Sequence, residues 1–125
     1  MTVRATSTSV VAQPVVTSFC PSIAPFTVPL GIIVQASGLT NVLVTAISLQ
    51  FTDTAGVRMP QVTLAAPLPT VQFGTALIAA RSAQTFPIAL GIGCRTGRSG
   101  VVVVTVDASD QQGRRDSGQV VVSVR

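Results

Sequence analysis

A two-residue rhythm of bulky aliphatics constrains this chain more than any other feature. Residues 118–125 read Gly-Gln-Val-Val-Val-Ser-Val-Arg, which puts Val120, Val122 and Val124 in one phase and Gln119, Val121, Ser123 and Arg125 in the other. Successive side chains of an extended backbone point to opposite faces, so this rhythm predicts strands with one buried face. It recurs at Val102, Val104 and Val106, at Leu30, Ile32, Val34 and Ala36, and at Phe86, Ile88, Leu90 and Ile92. Within 43–51 the inward set reads Leu43, Ile47, Leu49 and Phe51, with Ala46, Ser48 and Gln50 outward. Further strands are expected at 10–19, 61–65 and 70–73, where Pro14, Pro60, Pro67 and Pro69 remove ladder donors and favour sheet edges. No window sustains a 3.6-residue period and β-branched residues dominate, so helix is expected to be at most a turn near 74–81.

A chain of 125 residues suits one domain with one core. Hydrophobic residues make up 47% of it and mean hydropathy is +0.62, which fills such a core and excludes wholesale disorder. Residues 1–9, rich in Thr and Ser, read as linker, leaving 10–125 as the domain. The longest apolar run, 28–34, contains Pro29 and Gly31 and falls short of the roughly 18–20 residues that span a bilayer, so no membrane insertion is expected. The opening residues lack the basic start and apolar stretch of a secretory signal, and the chain reads as a domain excised from a longer one.

Two segments share one pattern. Thr52-Asp53-Thr54-Ala55-Gly56-Val57-Arg58 and Ser109-Asp110-Gln111-Gln112-Gly113-Arg114-Arg115 both place Asp three residues before Gly and five before Arg. Asp accepts hydrogen bonds from amides a few residues on, and Gly supplies the positive φ that closes a loop into the returning strand. Both segments are therefore expected to be hairpin loops. A calcium loop would need about six or seven oxygen ligands, which neither supplies.

The missing residue types exclude much chemistry. There is no His, Lys, Glu, Tyr or Trp; eight Arg face four Asp, so the formal charge of +4 and the pI near 11.2 reflect scarce acids. A Ser, Thr or Cys nucleophile needs a neighbouring base, and two thiols without His cannot complete a zinc site. Glycoside hydrolysis needs two carboxyl groups facing one cleft, whereas Asp53, Asp107, Asp110 and Asp116 lie in or beside hairpins at opposite ends. The expectation is a protein that is not an enzyme and holds no metal or cofactor. Nucleic-acid binding is not expected either. Arg58, Arg95 and Arg98 map to one end and Arg114 and Arg115 to the other, about 25 Å apart at ~3.3 Å per residue, and no Tyr or Trp is present to stack on bases.

Short strands with turn signals at roughly 8–12-residue spacing and no interleaved helices describe an all-β antiparallel sandwich of seven or eight strands. The chain here resembles bacterial immunoglobulin-like and fibronectin type III-like domains over residues 10–125. The resemblance is carried by Ile-Ser-Leu-Gln-Phe-Thr-Asp-Thr-Ala-Gly at 47–56, Val-Thr-Val-Asp-Ala-Ser-Asp at 104–110 and Val-Val-Val-Ser-Val at 120–124. It implies an immunoglobulin-like order with strands at 10–19, 28–36, 43–51, 85–93, 100–107 and 119–125. It also implies that the strands at 28–36 and 85–93 are antiparallel neighbours, the start of one beside the end of the other. Cys20 precedes the first, and Cys94 follows the second while continuing the inward phase of Ile88, Leu90 and Ile92. Two readings stand, a disulfide or two separate buried thiols, and this topology favours the disulfide. A disulfide places the chain in an extracytoplasmic compartment: secreted, surface-displayed or periplasmic. An antibody variable domain, with its buried Trp, is not expected.

The resemblance carries an architecture and not an activity. The expected role is a non-catalytic structural spacer or protein-interaction module of a larger bacterial surface or secreted protein, monomeric in isolation. Its partners would be neighbouring domains or another protein. Alternatives are a pilin-like or adhesin subunit acting through an edge strand, and an accessory domain of a secreted enzyme. Val44, Val101, Val103 and Val121 fall in the outward phase and form a candidate apolar patch, for which the β propensity of exposed Val is an equal explanation. Candidate contact loops comprise Ser37, Gly38 and Asn41 on one connection and Asp110, Arg114 and Arg115 on another, expected to meet at one end.

Overall fold

The computed structural model describes residues 1–65 and 76–125. Among these residues there is no helix; ten strands run in the order β1 (Thr2–Ala5), β2 (Ser9–Val10), β3 (Gln13–Pro14), β4 (Phe26–Gln35), β5 (Val42–Asp53), β6 (Val62–Ala65), β7 (Leu77–Ile78), β8 (Ala83–Ile92), β9 (Gly100–Asp110) and β10 (Arg115–Val124). They form two sheets. In the four-stranded sheet, β4 is flanked by β8 on one side and by β1 and β3 on the other. In the six-stranded sheet the order is β2-β10-β9-β5-β6, with β7 also on β5. The predicted all-β sandwich is present; its five principal strands run 10–12 residues, and five short edge strands of 2–4 residues raise the count among the described residues above the seven or eight expected.

The aliphatic rhythm builds the core. Ile32, Val34, Phe86 and Ile92 from the first sheet meet Ile47, Phe51, Val102, Val104 and Val122 from the second, all at least 99% buried. The prolines of β4 and β8 cost this framework little. Gly31 accepts a bond from the Thr6 amide on the far side of β4, so odd-numbered residues of β4 and β8 face away from their shared ladder. Pro29 and Pro87 both occupy odd positions and remove no bond from it.

Several sequence expectations are corrected. Thr2–Ala5, read as linker, pairs with β4 from Thr2↔Gln35 to Ala5↔Ile32, and Val3 and Ala5 pack against the core. Val3 and Ala5 face inward and alternate with exposed Thr2 and Arg4, the same two-residue pattern in a shorter run. The single strand expected at 10–19 is instead a broken edge: β2 crosses to the other sheet to pair in parallel with β10, and β3 returns to β4. Among the described residues, one parallel pair thus interrupts an otherwise antiparallel arrangement. The turn expected near 74–81 contains strand β7, which pairs Val42↔Ile78 and Leu43↔Leu77 before a turn with Arg81 at φ 61°. The strand expected at 70–73, with Pro67 and Pro69, lies outside the described residues.

The largest correction is in β5. A β-bulge between Val44 and Ala46 leaves Thr45 without a partner on β9, and the Thr45 hydroxyl donates to the Asp107 carbonyl at 3.1 Å. One extra residue inverts the phase on either side of it. Val44 is therefore 1% exposed and belongs to the core, while Leu43 is 41% exposed on the outer face. The predicted outward Val44 and inward Leu43 exchange places.

Candidate interaction surface

The outer face of the six-stranded sheet is built by cross-strand rows. Registers of β5, β9 and β10 align Thr52–Val101–Ser123, Gln50–Val103–Val121, Ser48–Thr105–Gln119 and Ala46–Asp107–Ser117. The first three rows are uncharged and dominated by Thr, Ser, Gln and Val. Gln119 Nε2 donates to Thr105 Oγ1 at 3.1 Å, Ser48 Oγ and Thr63 Oγ1 lie 3.4 Å apart, and Gln50 Nε2 donates to the Met59 carbonyl. Ser48, Gln50, Thr52, Val103, Thr105 and Gln119 of these rows, together with Gln61 and Arg58, line an open depression of about 280 Å³. Val101 and Val121 are 39% and 53% exposed and Val103 is half-buried, so three of the four patch valines lie on this face. Val44 does not; Leu43, beside Leu77 on β7, takes the outward place. The polar members were not singled out from sequence, although their signal was available as Thr, Ser and Gln in the phase opposite the core valines.

The candidate contact loops do meet. Val42 pairs with Asp110, which brings the 36–41 connection beside the β9–β10 hairpin. The Met1 amine joins them, lying 3.4 Å from Ser37 Oγ and 3.3 Å from Asp116 Oδ2. Ser37, Gly38, Arg114 and Arg115 are exposed. Asn41 is half-buried and accepts the Ala80 amide at 3.0 Å, so it holds the turn after β7. A wider depression of about 930 Å³ opens here between the bulge residues Thr45 and Ala46 and Asp107, Ser109, Arg115, Asp116 and Ser117.

The twin loops fold as twins. Asp53 Oδ1 accepts the amides of Ala55 and Val57 at 3.0 and 2.9 Å, and Asp110 Oδ1 accepts those of Gln112 and Arg114, both at 2.9 Å. In each loop the Asp carbonyl accepts the Gly amide and the Asp amide donates to the residue after Gly. Gly56 and Gly113 have φ of 86° and 78°, the left-handed region that lets these loops close. They differ in what the second oxygen does. Asp110 Oδ2 meets Arg114 Nε at 3.0 Å, whereas Asp53 Oδ2 reaches across to accept the Gly97 amide at 2.8 Å, tying the β5–β6 loop to the β8–β9 loop. The Gly97 and Val57 amides hold the Asp53 carboxyl below the ordinary carboxylate range against an opposing desolvation, with Ala55 and Gly56 adding to the effect. The Arg114 amide does the same for Asp110 against desolvation, helped by the Gln112 amide and the Arg114 charge.

Asp53 pairs with Gly100 and Asp110 with Val42, so these two carboxylates occupy opposite ends of β5. At the Asp53 end, Cys20 and Cys94 form a disulfide with Cα atoms 5.6 Å apart. The expected neighbourhood is correct, since the β4–β8 ladder ends at Phe26↔Ile92 just inside it. The expected inward phase of Cys94 is not. Gly93, at φ 105°, turns the chain out of the strand, leaving Cys94 half-buried and Cys20 exposed. The bond staples loops together at the mouth of the sandwich.

No protein-family model matches this chain, and no curated protein matches it. Solved structures do. The chain is similar to the Northeast Structural Genomics Consortium target SoR45 at 14% identity and a TM-score of 0.67, covering 96% of this chain and 85% of that one. It is similar to the putative ApaA protein from Bordetella pertussis at 10% identity and a TM-score of 0.65, covering 98% and 93% of the two chains. What these likenesses establish is a shared fold over nearly the whole chain.

Proposed function

We propose that this chain is a non-catalytic, extracytoplasmic, immunoglobulin-like module that serves as a spacer or protein-interaction domain of a larger bacterial surface or secreted protein. The observation that carries this reading is the outer face of the six-stranded sheet, where uncharged hydrogen-bonding side chains surround the exposed Val101 and Val121. Such a face offers apolar area and satisfiable polar groups to a partner without burying a charge. The carboxylates support the same reading, because Asp53 and Asp110 are occupied by backbone amides in turns. The Cys20–Cys94 bond supports an oxidising compartment. Assembly by strand exchange has less support, since β10 of the same chain pairs with β9 from Arg115↔Ser109 to Val124↔Gly100.

The test is association of the module with the rest of its parent chain. Val101→Arg with Val121→Arg is expected to weaken cross-linking or co-sedimentation with the neighbouring domains at least ten-fold while leaving the melting temperature within a few degrees. Undiminished association would contradict this face as the contact.

A further inference from the structure

We propose that the Cys20 end of the sandwich docks onto the surface of an anionic lipid bilayer, apolar tips first, without crossing it. Phe19 and Ile23 exchange both backbone hydrogen bonds, at 2.9 and 2.7 Å, across the tight turn that contains Cys20. A pair bonded in this way carries its two side chains side by side on one face. Both are out in water, Phe19 at 70% exposure and Ile23 at 47%, with Val16 on the same connection fully exposed. The disulfide ties this turn to the β8–β9 connection. The apolar knuckle is thus presented on a stapled support, and little ordering is required when it is buried.

The exposed side-chain charge at this end has one sign. Arg58 follows the β5–β6 loop through the Thr52↔Arg58 bridge, Arg95 and Arg98 lie between β8 and β9, and Arg125 follows Val124, the partner of Gly100. All four are exposed, and none forms an ion pair among the described residues. The Arg98 guanidinium rests 5.2 Å over the Phe26 ring. The one acid here, Asp53, is 8% exposed and turned onto backbone amides, while Asp107, Asp110 and Asp116 belong to the far end. Four of the eight arginines therefore sit at an end without an exposed Asp side chain; the α-carboxylate of Arg125 offsets one of these charges and the other three leave the end net positive.

The occupant follows from the combination. A soluble polyanion would satisfy the arginines but leave Phe19, Ile23 and Val16 in water. An anionic membrane surface takes both, because its headgroups attract Arg and the boundary below them accepts apolar side chains. This inference is independent of the protein-contact face proposed above and can fail without it.

The experiment is sedimentation of the oxidised chain with phosphatidylglycerol–phosphatidylcholine vesicles and with phosphatidylcholine vesicles alone, at low and high salt. Binding is expected to the anionic vesicles only and to weaken with salt. Arg95→Gln with Arg98→Gln should reduce it at least ten-fold, since each Arg near such a surface contributes about five-fold. Phe19→Ser with Ile23→Ser should do likewise, and both positions are exposed enough for melting curves to stay unchanged. Arg4→Gln with Arg115→Gln, away from this end, should leave binding as it was. Absence of binding, equal binding to neutral vesicles, or equal loss in the Arg4 and Arg115 variant would overturn the proposal. So would full binding by the Phe19 and Ile23 variant with complete competition by heparin, which identifies a site for soluble polyanions.

Discussion

Asp53 and Asp110 are the same residue in the same loop pattern, and they differ in reach. Asp110 closes one exposed hairpin, whereas Asp53 closes its hairpin and, through Gly97, holds a second loop that leads from the disulfide into β9. Removing the carboxylate therefore frees one connection in the first case and two in the second. Asp53→Ala is expected to lower the melting temperature clearly more than Asp110→Ala in parallel thermal unfolding, and equal shifts would contradict the coupling. The pH dependence has a definite sign. Both carboxyls titrate below their unfolded value in the folded chain, so their stabilisation is complete above about pH 4 and is lost as pH falls through the lower folded value. Thermal unfolding followed into the acid range should show this loss, diminished in Asp53→Asn.

At the scale of the element, β5 shows where sequence reading succeeds and where it stops. The phase of Ile47, Leu49 and Phe51 was legible because each inward apolar residue is followed by an outward polar one. The bulge was not legible, since Leu43, Val44 and Ala46 are all apolar and either phase fills a core; only the register against Ala108 and Asp107 decides. The structure therefore predicts unequal costs. Val44→Ala should destabilise by about 2 kcal/mol as a core truncation, and Leu43→Ala by less than about 0.5 kcal/mol as a surface change; chemical denaturation distinguishes them. The reverse order would restore the unbulged strand. The twin hairpins were legible down to their hydrogen bonds, because Asp and Gly at that spacing leave the backbone few other choices. The strand at Thr2–Ala5 was not legible because its pattern is short: Val3 and Ala5 alternate with exposed Thr2 and Arg4, and two inward residues do not stand out beside the Thr/Ser-rich run that follows. The contact surface was half legible: Val101 and Val121 stood out as apolar residues in an outward phase, while Thr105 and Gln119, although in the same outward phase, are ordinary solvent-face residues until the strand register sets them side by side.

At the scale of the molecule, two sheets share one core and a single covalent link joins their loops at one end. Closing 74 residues of sequence separation stabilises the folded chain by about 4 kcal/mol in the chain-entropy view. Cys20→Ser with Cys94→Ser should lose most of that in denaturant unfolding while keeping the sheet spectrum, because the core aliphatics do not depend on the bond. The proposed compartment and the stapled presentation of the Cys20 end both rest on the same pair of sulfur atoms. Peptide mapping by mass spectrometry, after thiol blocking without reduction of the chain as made in its own cells, tests them together. The account predicts a linked pair of peptides carrying Cys20 and Cys94 with neither residue alkylated. Two alkylated thiols would contradict it.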